Sequence, residues 1–372
     1  MTFVHLTRLI MPFTAAVALT GCLDSGGGSS GNATSTGRIH YQGLSGVSYQ
    51  TASQNGTTNV GGEFQYYPGE TLSLRVGNLA IAENVPAREF VTFLEFQPEL
   101  RAALQTPGIN DLGLLDHRVT EAELLNNIEL LNRTRFLLAL NWTENVDDNA
   151  GIDIRDRVIE QLNAALADPD LPNTLTFDVP QDEFTAEQSP ANRLLATICF
   201  YPEDSELCDT PPTQAEIDAA PERPADDADI DPDVDYREDL ENLADRITNA
   251  TRTLADVDNE DAREYLEREL ERITRDISRR YVLDAAVASH AESDTAIKSV
   301  QIQRIGSEIA LAEMEARSTR PQDVVVNAWS WQEAEVEYFV DGPAGGESEL
   351  LINVRPDNTY RWVIKQIRVI ID

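Results

Sequence analysis

Between residues 203 and 235 the chain carries thirteen acidic residues, five prolines and one basic residue, Arg223. A segment of that composition cannot bury enough apolar surface to offset the entropy of ordering it. It reads as a linker, and it divides the chain into a part before and a part after, each with its own core. The 372 residues are enough for two such domains. The run "DDADIDPDVD" within it reads as solvated charge rather than a store of divalent cations. The acid excess extends to the whole chain, whose net charge is −36. Nothing here neutralises a row of phosphates, which argues against nucleic acid and against docking on anionic headgroups. The basic residues are nearly all arginine, with lysine only at Lys298 and Lys365. This composition suits a surface kept soluble in salty surroundings, with a GC-rich codon bias as a competing cause.

Residues 1–21 have the parts of an export signal: Arg8, the apolar run "LIMPFTAAVAL" interrupted by Pro12, then small residues. The run is too short for a confident membrane span. Its end, "LTGC" (Leu19, Thr20, Gly21, Cys22), resembles a bacterial lipobox. The resemblance implies cleavage before Cys22, a diacylglyceryl group on its sulfur, and acylation of the new amino terminus. Several acyl chains, at roughly 0.8 kcal/mol per buried CH₂, make a durable membrane anchor. Residues 22–37, rich in Gly, Ser and Thr, read as a flexible tether. Leu23 after the cysteine favours the outer membrane of a bacterial envelope over the inner. In that setting the sequons at Asn32, Asn55, Asn132, Asn141 and Asn249 carry no weight. The other two cysteines, Cys199 and Cys208, close a short loop that an oxidising compartment favours as a disulfide. A zinc pair is the minor reading, since no histidine lies nearby.

Residues 38–82 hold short alternating apolar runs separated by Asn-Gly, Gly-Gly and Pro-Gly, the punctuation of antiparallel hairpins. The pattern of Gly46, Tyr49, Thr51, Gly56, Thr57, Gly62, Phe64, Tyr66, Gly69, Glu70 and Gly77 resembles a small β-module of bacterial surface lipoproteins and adhesin-like proteins. In such proteins a helical segment follows, and "NRTRFLLALNWTENVDDNAGIDI" (Asn132 to Ile154) is similar to it, with Asn141 and Ala150 as departures. Residues 83–202 read as mainly helical. Helical spacing over 119–140 comes with Thr120 and Glu123 as a capping box. Asp147, Asp148 and Asn149 offer oxygen ligands for Ca²⁺, yet lack the spacing and terminal Glu of an EF-hand. A solvated Asx turn is the plainer reading there, leading into a helix over 153–167.

From 237 to 372 the spacing predicts an α+β domain, so the chain as a whole reads as α+β: a small antiparallel β-module, a helical middle, and C-terminal helices packed on an antiparallel sheet. Leu240, Leu243, Ile247, Ala250, Leu254 and Val257 form one helical stripe, and Ala262, Leu266, Leu270, Ile273, Ile277 and Tyr281 another. They predict an antiparallel helical pair, or one bent helix reaching about Ala288. Strands follow, including one long run over 324–340 and a last strand with Val363, Ile367, Val369 and Ile371 facing inward. Helices followed by such a meander are similar to a cone-shaped roll of the NTF2-like type.

Catalytic signatures are absent: no His-rich metal spacing, nucleophile elbow, P-loop or dinucleotide fingerprint occurs. His290 with Asp284 and Glu292 is better read as a solvated loop histidine than as an acid–base pair. The sequence therefore points to no enzyme and no cofactor. Trp329 and Trp331 share a strand face with Glu333, Glu335 and Glu337, so either a bulge turns them into the core or they line a groove. With Tyr338 and Trp362 they form a candidate lining for apolar small molecules. The order of parts resembles the lipoproteins that accompany FadL-type outer-membrane channels. That implies a non-catalytic accessory to uptake of hydrophobic compounds, with an outer-membrane transporter as partner; a cell-surface adhesion protein is the alternative. In cells fed radioactive palmitate the wild-type chain should carry label and Cys22→Ser should not; label persisting in the variant would sink the anchor.

Overall fold

Glycine-punctuated strands open the described part of the chain. A computed structural model describes residues 34–144, 146, 149–224 and 231–372. The signal 1–21, Cys22, most of the tether, Asp147 and Asp148 lie outside the described residues. Strands β1 (Ser35–Ile39), β2 (Leu44–Ser45), β3 (Ser48–Gln50), β4 (Asn55–Thr57), β5 (Glu63–Tyr66), β6 (Thr71–Val76), β7 (Leu79–Pro86) and β8 (Phe90–Val91) form the N-terminal module, which runs past residue 82. One sheet has the order β5-β1-β8, with β1 antiparallel to β5 and parallel to β8. A second has the order β4-β3-β6-β7. Alternation places Leu72, Leu74 and Val76 of β6 inside.

The middle of the chain holds helices α1 (Pro98–Ala103), α2 (His117–Leu124), α3 (Ile128–Ala139), α4 (Asp156–Ala167), α5 (Gln181–Thr185), α6 (Pro190–Leu195) and α7 (Gln214–Ala219). Strands β9 (Gly108–Ile109), β10 (Leu115–Asp116) and β11 (Ile152–Asp153) lie among them. β11 pairs in parallel with β2, tying this region to the module. That contact requires glycine at 46, whose φ is +78° and whose Cβ would stand 1.8 Å from the Ile154 carbonyl oxygen.

The helix expected over 119–140 is two helices. Asp116, not Thr120, caps α2 by accepting from the Arg118 amide, and Asn127 caps α3 by accepting from Leu130. Thr120 Oγ1 instead accepts from the Gly108 amide and donates to the Thr106 carbonyl. The expected helix over 153–167 starts three residues later. Cys199 and Cys208 form a disulfide with Cα atoms 5.4 Å apart. The acidic segment is not featureless where it is described: α7 has a capping box at Thr213 and buries Ile217.

Helix α8 (Arg237–Ala250) and helix α9 (Asn259–Arg279) follow the two predicted stripes, but they do not pair with each other. α9 packs on α3, and α8 packs on α7. α9 also stops before Ala288, because Tyr281 begins β12 (Tyr281–Leu283), which pairs with the strand carrying Arg304. After β13 (Val287–His290) and β14 (Lys298–Arg304) come β15 (Leu311–Ser318), β16 (Val324–Ser330), β17 (Glu335–Val340), β18 (Glu347–Pro356) and β19 (Val363–Ile371). The run over 324–340 is therefore a hairpin, turning at Ala334 with φ +53°. Two four-stranded sheets result, β12-β14-β17-β16 and β13-β19-β18-β15. The second is mixed rather than antiparallel as expected, because β13 runs parallel to β19. Mixed α+β architecture stands as expected, with strands first, helices in the middle and sheet at the end. Residues 34–372 nonetheless pack as one unit, not as domains separated by the acidic segment.

The reason is α9. Its Ala262, Tyr265, Leu266 and Leu270 belong to the core shared with the module and middle helices, while Ile273 and Ile277 enter the core between the C-terminal sheets. Between these halves, buried Glu269 takes the amides of Tyr41 and Gln42 on one carboxylate oxygen, both at 2.7 Å. Replacing Glu269 with Ala leaves two donors unpaired, each costing about 1–3 kcal/mol. Urea denaturation should show a loss of about 2–6 kcal/mol; a loss under 1 kcal/mol would show that the clamp contributes little.

Candidate functional site

The connection between β18 and β19 carries a Tyr-Arg-Trp sequence that leaves its own sheet and enters the first core. Tyr360 Oη donates to Glu121 Oε1 of α2 at 2.7 Å. The Trp362 amide donates to His117 Nδ1 at 3.0 Å, and His117 Nε2 lies 3.0 Å from Thr274 Oγ1 of α9. An amide can only donate, so Nδ1 is bare, and the ring is the neutral tautomer giving its Nε2 proton to Thr274. Burial holds His117 well below its ordinary pKa, helped by Arg361 and Arg118, although Asp116 and Glu121 approach it at 3.7 and 3.9 Å. Burial also raises the Glu121 carboxyl, against the pull of Arg361 and the Tyr360 hydrogen bond.

A second buried histidine repeats this arrangement. His40, held at φ +59°, accepts the Phe93 amide on Nε2 at 3.3 Å. Burial first, then Arg361 and Arg268, lowers its pKa to about 3.

Arg361 sits at the heart of the junction, only 2% exposed. Its guanidinium lies over the Tyr360 ring, 4.3 Å from the centroid, and Nη2 is 3.8 Å from Glu121 Oε1. Among the described residues, its Nε and Nη2 have no hydrogen-bond partner. Arg361 also lines a cavity of about 330 Å³ between the N-terminal module, the end of α9 and the β18–β19 connection. Tyr66, Phe90, Tyr281 and Tyr360 give the cavity aromatic walls. An adjoining hollow of about 290 Å³ shares Arg88, Glu95 and Tyr360 with it.

None of the four residues expected to line an apolar site reaches this cavity. Trp329 and Trp331 are exposed, the first on edge strand β16 beyond a bulge at Asn327, the second in the following turn. Tyr338 and Trp362 are buried, in different places: Tyr338 in the core between the sheets, bonded to His290 at 3.0 Å, and Trp362 at the junction. Trp362 precedes the last strand and does not lie on its outer face. His290 is thus not a solvated loop histidine: it ends β13, half-buried, and is tied to Tyr338 rather than to Asp284 or Glu292. Of the three candidate calcium ligands, Asn149 alone is described, and its Oδ1 accepts from Arg272 at 3.2 Å. No group of three or more His, Cys, Asp or Glu able to hold a metal occurs among the described residues. No helix among them is long and apolar enough to cross a membrane. The residues that sequence reasoning missed are His117, Glu121, Tyr360 and Arg361. An arginine between two aromatics, just before an alternating strand, was the one available signal.

No family model matches the chain, and no curated protein matches it. Among solved structures, domains 4 and 5 of the S-layer protein SbsC align with 24% of this chain and 50% of that chain, at 15% identity and TM-score 0.19. The match spans half the length of that structure, and a likeness so slight carries no argument about fold or role.

Both buried histidines are neutral when folded, while an unfolded histidine titrates near 6.5. Below pH 6.5 the unfolded chain therefore binds more protons, so stability present above that pH is lost as pH falls, down to about pH 3 for His40. Each histidine should contribute a slope of about 1.4 kcal/mol per pH unit. His40→Asn, which tolerates the positive φ, should remove one such slope from urea denaturation between pH 6 and 4.5. An unchanged slope would refute the neutral, buried state of His40.

Proposed function

We propose that this chain is a non-catalytic, lipid-anchored protein of the bacterial envelope that binds apolar small molecules, as an accessory to their uptake at the outer membrane. The single observation that carries the binding role is the cavity of about 330 Å³, set between separate parts of the fold, in which four aromatic rings stand among charged side chains. Its size falls at the lower end of small-molecule sites, roughly 300–1,000 Å³. The anchor rests on "LTGC" and the tether after it. The C-terminal part is read as a roll of the NTF2-like type; support comes from Ile273 and Ile277 of α9, which enter a core shared by both sheets.

Full-length Cys22→Ser protein, free of lipid, provides the test. It should bind the uncharged fluorophore N-phenyl-1-naphthylamine, and hexadecane should displace it. Ala310 is exposed at the cavity's edge, so Ala310→Trp should narrow the mouth without overpacking a core and weaken binding at least tenfold. Absence of binding, or binding unchanged in Ala310→Trp, would overturn the reading. A surface-interaction role is favoured by Trp329 and Trp331, 49% and 42% exposed beside an unpaired strand edge. In that case Trp329→Ser with Trp331→Ser should abolish adhesion of intact cells and leave fluorophore binding alone.

A further inference from the structure

The geometry points to an oxyanion, a carboxylate or phosphate monoester carried on a flat apolar body, as the ligand of this cavity, with Arg361 as its anchor. This inference rests on the cavity being the ligand site. In a chain of net charge −36, the cavity wall gathers Arg88, Arg280, Arg304 and Arg361 against Glu89, Glu95 and Asp357. Two of those carboxylates are already engaged. Glu89 pairs with Arg280 at 2.7 Å, and Glu95 accepts the amide and hydroxyl of Thr92 on Oε2. Arg280 has a further partner in Asp276.

Arg361 is placed differently. Burying a guanidinium is costly unless acceptors meet its donors. Glu121 Oε1 stands 3.8 Å away, beyond hydrogen-bond reach, and already receives the Tyr360 hydroxyl. That leaves Nε and Nη2, one edge of the guanidinium fork, with no acceptor among the described residues. Nε of the half-buried Arg304 is likewise without one. A guanidinium edge of this kind matches two oxygens of one carboxylate or phosphate. Around it, Tyr66, Phe90, Tyr281 and Tyr360 offer ring faces and edges to a planar apolar body. The acid excess of the surrounding surface disfavours long polyanions, and its reach is screened to about 8–10 Å in physiological salt, so a small enclosed anion suits the site.

Calorimetry on full-length Cys22→Ser protein tests this with three probes of one shape: 2-naphthoate, 2-naphthyl phosphate and uncharged 2-naphthalenemethanol. At least one anion should bind tenfold or more tighter than the alcohol, and the tighter anion identifies the headgroup. Arg304→Gln should weaken that anion at least threefold more than it weakens the alcohol. Arg361→Lys, which keeps the charge and loses the fork, should weaken it further, with circular dichroism confirming the fold; should that variant not fold, Arg304→Gln decides. Equal affinity for the alcohol and both anions would overturn the oxyanion and leave the cavity as an apolar site. Failure of all three probes to bind would overturn the ligand site itself.

Discussion

Helix α9 holds the two cores together because its two halves belong to different ones. Over 21 residues it rises about 30 Å, long enough for Leu266 to pack with the N-terminal module while Ile277 packs between the C-terminal sheets. At its middle Glu269 is withdrawn from solvent, and burial raises its carboxyl above the usual range, while the Gln42 and Tyr41 amides work against that shift. The clamp therefore fixes the chain just after β1 to the centre of α9, and the cavity walls on either side of that line inherit their positions from it.

The β18–β19 connection then locks the opposite side. Tyr360 and Trp362 reach α2 through two hydrogen bonds that span 239 and 245 residues of sequence. A second tie lies nearby: buried Asn353 of β18 donates to the Leu115 carbonyl and to Glu315 Oε1, which itself accepts the Leu115 amide. Such bonds add modest net stability, yet leaving any of them unmade in a buried setting is expensive. Alternative placements of the connection are penalised more than the observed one is rewarded, so the polar junction selects one arrangement of the two halves.

Much of this fold was legible wherever local pattern decides it. Gly-Gly and Pro-Gly turns marked the module, whereas Asn55-Gly56 lies within β4 and the turn before it falls at residues 51–54. The alternation of Val363, Ile367, Val369 and Ile371 marked the inner face of the last strand, as their burial bears out. Errors came where a polar side chain outweighed a periodic one. Asn127 caps a new helix inside what apolar spacing reads as continuous, and the Trp331–Ala334 turn breaks a β-rich run that contains no glycine or proline. The acidic segment misled in a different way. Its composition forbids folding alone, but α7 within it packs on α8 and buries Ile217 there. The site was the least legible part. Its residues are single histidines, glutamates and an arginine brought together from distant positions, and no local spacing records that.

The near-exclusive use of arginine acquires a structural meaning alongside the solvent argument. Arg135, 6% exposed, spans two carbonyls, donating through Nε to Val257 and through Nη2 to Leu254, both at 2.6 Å. Arg252 does the same at the end of α3, reaching the carbonyls of Ala139, Asn141 and Trp142. Lysine places all its donors on one nitrogen and loses its proton readily on burial, whereas the guanidinium stays charged and bridges separated acceptors. Arginine can thus close loop and helix ends in this chain that no backbone partner reaches. Against that usage Arg361 is distinct. It is more deeply buried than Arg135, yet no carbonyl meets its Nε or Nη2, and the residue lies in the wall of a cavity rather than against the protein's own backbone.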